Sequence, residues 1–254
     1  MRGLSVGISG LILLGLVAPA SADVIISQLY GGGGNTGATY KNDFIELLNT
    51  GSSVVSIEGW SLQYASTTSD FIGSNLTELN GTIQPGHFFL VEEAAGAGGT
   101  TDLPTPDITG TINLSATSGK VALVDSDTAL GCGGSSDTCS SSQISFIFDL
   151  VGYGSADYFE GSGAAPAGSN TMALLRTNDG CSDTDDNAAD FITGDPNPRN
   201  SGAVPDACPE GTSSSGPGNG GPIDVPEPFT YSVFGAGLIG ATMLRRQLKA
   251  RANG

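Results

Sequence analysis

Asn42-Asp-Phe-Ile-Glu46-Leu-Leu-Asn49 and, beyond a polar break, Gly59-Trp60-Ser-Leu62 set the pattern of the chain: short apolar runs separated by turns. The same pattern recurs at Val24–Tyr30, Phe88–Val91, Lys120–Val124, Ile144–Tyr153 and Thr171–Arg176, with Gly, Ser, Asn, Asp and Pro between them. The runs are four to ten residues long and follow a period of two, with no sustained helical periodicity. Such spacing predicts an all-β sandwich or barrel. Pro85-Gly86 suits the two centre positions of a type II turn feeding the strand at Phe88. Trp60, the only tryptophan, is expected to fill the core between two sheets, with Gly59 letting a neighbouring strand approach. About 190 residues can bury one core, so a single domain is expected.

The two ends carry a different composition. Arg2 precedes an apolar stretch from Leu11 to Val17 and the small-x-small site Ala20-Ser21-Ala22, which reads as a Sec signal peptide over 1–22. At the other end Gly211–Gly221 is a Gly/Ser/Pro run that cannot pack, so 210–224 reads as a flexible linker behind a domain at 23–209. Then come Val225-Pro226-Glu227-Pro228, an uncharged segment over 229–244, and Arg245-Arg246-Gln-Leu-Lys249-Ala-Arg251. As a helix, 16 residues span roughly 24 Å, short of the ~30 Å hydrocarbon core, and Arg245 and Arg246 can extend that reach by snorkelling. The basic end belongs on the cytoplasmic side.

Charge and cysteine content narrow the function classes. The chain has 9 cations and 26 acidic residues, and between the two ends only Lys41, Lys120, Arg176 and Arg199 are cationic. A nucleic-acid binder needs a basic stripe to displace phosphate counterions, so nucleic acid is not an expected partner. The four cysteines fit an oxidising compartment and allow three pairings. The sequential one, Cys132–Cys139 and Cys181–Cys208, is favoured because the Gly/Ser/Asp loop 132–139 brings its ends together at little cost. No Cys-x-x-Cys spacing supports a zinc site instead.

Candidate chemistry is sparse. Asp179, Asp183, Asp185, Asn187 and Asp190 lie in an acid-rich stretch, and Asp183, Asp185 and Asn187 share the 1, 3, 5 spacing of an EF-hand loop. Position 6 is Ala188 rather than Gly and position 12 is Gly194 rather than Glu, so a looser calcium site is the only cofactor this stretch admits. The bland reading is an Asp/Asn loop capping its own turns. Gly31–Gly34 lacks the Gly-Lys-Ser/Thr of a phosphate loop and reads as an exposed loop. His87 is the single histidine, no Gly-x-Ser-x-Gly elbow accompanies it, and Glu92 and Glu93 point to opposite faces of a strand. No catalytic residue is therefore assigned, and the chain reads as a non-enzyme. Glu46, in mid-strand, and Arg176, at the end of another apolar strand, are expected to form a structural ion pair.

Two resemblances follow from these residues. The segments Asn42–Asn49, Gly59-Trp60, Ile83–Val91, Leu114–Asp125, Asp149–Gly154, Asp185–Phe191 and Pro196–Asn200, in that order, resemble the bacterial lamin-tail domain over about residues 23–202. That resemblance implies an immunoglobulin-like β-sandwich, here flanked by a signal helix and a single C-terminal transmembrane helix. The order Val-Pro-Glu-Pro, apolar helix, Arg-Arg resembles the PEP-CTERM sorting signal of Gram-negative bacteria. It implies Sec export, a membrane-anchored intermediate, an exosortase as partner and a final place at the cell surface or in the extracellular matrix. The expected role is a binding or structural one, contacting polysaccharide or surface proteins. The alternative is a secreted hydrolase of polysaccharide or phosphoester with an unrecognised carboxylate site.

Overall fold

A computed structural model describes residues 24–205 and 208. The signal peptide, the linker and the whole 225–254 tail, with Val225–Pro228, the 229–244 segment and Arg245-Arg246, lie outside the described residues. Among the described residues no helix is long and apolar enough to cross a membrane.

The described chain is mostly β and fits an immunoglobulin-like β-sandwich. Its twelve strands are β1 (Val24–Tyr30), β2 (Asn42–Asn49), β3 (Val55–Ser56), β4 (Ser61–Ala65), β5 (Leu76–Glu78), β6 (Thr82–Ile83), β7 (Phe88–Ala95), β8 (Ile108–Thr109), β9 (Gly119–Val124), β10 (Ile147–Tyr153), β11 (Ala173–Arg176) and β12 (Phe191–Gly194). Two four-residue helices, α1 (Ser141–Ile144) and α2 (Asn187–Asp190), lie outside the strand pattern and are stabilised locally by their caps. Ser140 forms a capping box with Gln143, and the Asp186 side chain accepts the Ala188 N–H. One sheet runs β12-β11-β1-β2-β7-β8, the other β10-β9-β4-β5, and β3 pairs with β6 apart from both.

The period-two expectation needs correction: the central strands are buried along nearly their whole length, because both of their faces are covered. Ile45, Leu47, Trp60, Leu62, Phe89, Val91, Val121, Leu123, Val151 and Leu174 meet between the sheets. Ala122, Val124 and Leu150 face outward under a second layer made of Phe71, Leu130, Tyr158 and both cysteines of the Cys132–Cys139 bridge. Tyr30, Phe44, Leu90 and Ala173 form a third layer on the outer face of the large sheet. Trp60 stacks on Phe148 with ring centroids 4.2 Å apart.

Two glycine expectations need correction. At Gly59 an added Cβ would meet nothing, but φ is +77°, so glycine is required there for backbone conformation rather than for strand approach. Gly31 and Gly32 are buried rather than exposed, and a Cβ on Gly33 would fall 1.9 Å from the Asn42 carbonyl carbon. The Gly31–Gly34 run is where β1 leaves the sheet pressed against the start of β2. The turn at Gln84–His87 closes with His87 N–H donating to Gln84 C=O at 3.0 Å, and Gly86 sits at φ +71°.

Candidate functional site

Where β11 ends, a side chain replaces missing strand pairing. β11 pairs with β1 at Gln28 and Leu29 and goes no further along it. Beyond that point the Ile26 carbonyl accepts Arg176 Nε at 2.9 Å and the Ile26 N–H donates to Asp149 Oδ2 at 2.6 Å. Asp149 Oδ2 also accepts Arg176 Nη2 at 2.7 Å, so β10 of the small sheet is joined to β1 and β11 of the large one. A register shift between Ile147 and Asp149 bends β10 at this place.

The segment after β11 folds back over this knot. Arg176 Nη1 donates to the Ser182 carbonyl at 3.1 Å and to Asp183 Oδ1 at 3.2 Å, and lies 3.5 Å from Asp190 Oδ2. The guanidinium stands over the Phe191 ring at 4.6 Å. Asp190 holds Thr184 by its N–H and its hydroxyl, both at 2.8 Å. Cys181 is bridged to Cys208, which ties the same segment to the C-terminal end of the domain. The two bridges close loops with sequence separations of 7 and 27, and each contributes on the order of 2–4 kcal/mol.

Glu160 completes the cluster. Burial, then the charges of Asp149 and Asp183, push its carboxyl well above the usual glutamate range, against a lowering pull from Arg176. Burial also opposes the charge on Arg176, but Asp149, Asp183, Asp190 and Glu160 outweigh it and push the guanidinium up. Asn187 lies between Glu160 and β10. Its Oδ1 accepts the Gly152 N–H at 2.8 Å and the Glu160 N–H at 3.2 Å, and its Nδ2 donates to the Leu150 carbonyl at 2.8 Å. This carboxamide covers the edge of β10 together with Ala165, whose N–H donates to the Gly152 carbonyl at 2.8 Å.

The five residues expected to hold calcium are not gathered into one sphere. Asp179 and Asp185 are exposed, at φ +56° and +55°. Asp183 and Asp190 face Arg176, and Asn187 is spent on β10. Among the described residues one grouping could hold a metal ion: Asp149, Glu160 and Asp183, with an oxygen from each within 4.8 Å of the others. Only Asp183 belongs to the expected set, because Asp149 and Glu160 are distant in sequence and only the fold brings them to it.

The expected Glu46–Arg176 pair is also corrected. Ile45 and Leu47 face the inter-sheet core and Phe44 the outer layer, so alternation places Glu46 on the outer face. Leu174 faces the core, so Arg176, two residues on, points inward to Asp149. The sheet itself separates the two side chains. Glu46 is instead paired with Arg199, which donates its backbone N–H at 2.6 Å and Nη2 at 2.8 Å, while Ser27 Oγ donates at 2.7 Å. Arg199 stacks over Phe88 at 3.7 Å, and Gln28 exchanges two bonds with Asn197, which pins the C-terminal segment across the outer face. Glu46→Gln is expected to cost about 2 kcal/mol, since hydrogen bonds to a buried charge weaken. Arg199→Ala is expected to cost a similar amount and the double variant little more. Chemical denaturation of the three variants checks this, and an unchanged midpoint for Glu46→Gln rules it out.

The remaining body cations are also engaged. Buried Lys120 donates to Asp157 at 2.6 Å and to the carbonyls of Thr67 and Gly133, holding the Cys132–Cys139 loop down. Lys41 pairs with Asp102 at 2.7 Å on the surface. Three of the four body cations are therefore consumed inside or beneath the domain, and Lys41 is the cation left mainly to the surface.

The family model described as Lamin Tail Domain matches residues 17–140. The match spans β1 to β9 and the first disulfide and ends before Asp149, Arg176 and the acidic segment. Among solved structures, the crystal structure of a DUF4876 family protein from Bacteroides thetaiotaomicron VPI-5482 is similar with a TM-score of 0.46 at 11% identity. That similarity covers 73% of this chain and 74% of that one. No curated protein matches.

Proposed function

We propose that this chain is a lamin-tail-type β-sandwich protein exported through Sec and sorted to the envelope of a Gram-negative bacterium by an exosortase. In this reading residues 23–209 are the working domain, 210–224 are its stalk, and Val225-Pro226-Glu227-Pro228 with Arg245-Arg246 form the sorting signal. The domain acts without catalysis, as a binding or structural element presented to polysaccharide or to neighbouring surface proteins. The observation that carries the reading is the pair of closed disulfides, Cys132–Cys139 and Cys181–Cys208, which belong to an oxidising compartment. The internal use of Lys120, Arg176 and Arg199 adds to it, because the surface left for contact is acidic and suits neither nucleic acid nor an anionic membrane.

Mass spectrometry of the mature protein isolated from its native envelope tests the proposal. A chain beginning at Asp23 and ending near Pro226–Phe229 is expected. A chain still ending at Gly254 in the membrane fraction overturns exosortase processing and leaves a plain C-terminal anchor.

A further inference from the structure

Three stretches of the chain have the Asn-x-Ser/Thr spacing of an acceptor for N-linked sugar: Asn75-Leu-Thr77, Asn80-Gly-Thr82 and Asn113-Leu-Ser115. Modification requires that the carboxamide and the hydroxyl two residues on both reach an enzyme, so the fold decides among the three. Thr77 is buried and its hydroxyl donates to Glu93 Oε1 at 2.7 Å, which leaves nothing there for an enzyme to read. Asn113 is exposed, but Ile112 and Leu114 on either side of it are buried in the inter-sheet core. Their N–H groups are held by Glu93 and Asp43 at 2.8 and 2.9 Å, and Ser115 Oγ accepts the Thr117 and Ser118 N–H groups. That stretch is sewn into the domain and does not lift out to enter an active site.

Asn80-Gly-Thr82 is presented in the opposite way. It forms the turn from β5 into β6, and β6 belongs to the β3–β6 ribbon that stands apart from both sheets. Asn80, Gly81 and Thr82 are all exposed. Among the described residues neither the Asn80 carboxamide nor the Thr82 hydroxyl makes a hydrogen bond. Gly81 adopts φ +102°, and a Cβ built on it would meet nothing within 4 Å, so the turn stands in open solvent. Its frame is nonetheless fixed. The Leu79 N–H donates to the Trp60 carbonyl at 2.8 Å, the Ile57 N–H donates to the Gly81 carbonyl at 3.1 Å, and Leu79 and Ile83 are buried in the core on the two sides.

We propose that Asn80 is a site of N-linked glycosylation, taking an oligosaccharide from a lipid-pyrophosphate donor. Asn80 Nδ2 attacks the anomeric carbon of the first sugar. A C–N bond forms there, the bond from that carbon to the pyrophosphate oxygen breaks, and the lipid pyrophosphate leaves with the electron pair. The amide gives one proton to a base of the transferase. Thr82 supplies the hydroxyl that the transferase reads, and the rigid turn holds both groups out from the folded domain. The inference rests on the export proposed above, since the chain meets donor and transferase only on the far side of the membrane. The competing chemistry of an exposed Asn-Gly pair is attack of the Gly81 nitrogen on the Asn80 carboxamide, with loss of ammonia and then hydrolysis, which leaves an aspartyl residue and no sugar.

Peptide mass spectrometry of the protein isolated from its native envelope, with fragmentation that retains the sugar, tests this. A glycan on Asn80 is expected, with Asn75 and Asn113 unmodified. Asn80→Gln and Thr82→Ala are each expected to abolish it, and Thr82→Ser to retain it. The variants are expected to melt like the native chain, because neither side chain holds the domain together. An unmodified Asn80 on a chain that begins at Asp23 overturns the inference and leaves export standing. An unmodified Asn80 on a chain that keeps residues 1–22 overturns both. Conversion of Asn80 to aspartate without a sugar overturns the inference, and so does a sugar that persists in Asn80→Gln or in Thr82→Ala.

Discussion

Arg176→Met is expected to destabilise the domain by about 3–5 kcal/mol, because it removes the single cation from a buried cluster of carboxylates. For a domain of this size that corresponds to a fall in Tm on the order of 10 °C. Asp149, Asp190 and Glu160 are all at most 2% exposed, so solvent cannot replace the guanidinium. The Ile26 carbonyl also loses the Nε donor it has at 2.9 Å. Arg176→Lys separates the two losses. It keeps the charge but cannot reach Ile26, Asp149 and Asp183 with one fork, and so should fall between the native chain and the Met variant. Adding Asp149→Asn to the Met variant should recover part of the loss, since one uncompensated buried charge disappears. Calorimetry on the four proteins measures these differences. A Met variant within 1 °C of the native chain would remove the knot from any account of what joins the two sheets.

The apolar runs marked seven strand positions because strands buried on both faces leave a dense signal. The two- to four-residue strands β3, β5, β6, β8 and β12 leave none, since such short elements are defined by their partners rather than by their own pattern. The four cysteines allowed three pairings, and cheap loop closure favoured the sequential one. Charge partners were harder. Glu46 and Arg176 each demand an opposite charge, and with four cations in the body the choice was narrow. Counting alternation from Leu174 and from Ile45 would have placed the two on opposite faces of the sheet. The true partner, Arg199, lies in the Pro196-Asn-Pro-Arg199-Asn200 segment, whose approach to β2 depends on long-range packing that no local pattern encodes. The calcium spacing misled for a related reason. A 1, 3, 5 repeat of acidic residues describes the loop's own geometry, whereas Arg176 and β10 decide where Asp183, Asp190 and Asn187 actually point.

The second large effect concerns Asn187, which nothing in the sequence distinguishes from its acidic neighbours. Asn187→Leu is expected to cost about 3 kcal/mol, because three buried backbone groups lose a partner worth about 1 kcal/mol or more apiece. These are the Gly152 and Glu160 N–H groups and the Leu150 carbonyl. The leucine side chain is apolar and of similar size, so the loss reflects unpaired hydrogen-bonding groups rather than a cavity. Asn187→Asp is the sharper probe. It still accepts the Gly152 N–H but cannot donate to Leu150, and it sets another carboxylate beside Glu160, so its Tm should fall further at pH 8 than at pH 5. Both variants also leave the edge of β10 less well covered, a seven-residue strand over which the Asn187 side chain and Ala165 lie. An uncovered edge of that length is a template for pairing with a second copy. Size-exclusion chromatography should therefore show concentration-dependent association of the variants but not of the native chain. Variants that melt like the native protein and stay monomeric would mean that the Ala165 segment alone seals β10, leaving Asn187 without this role.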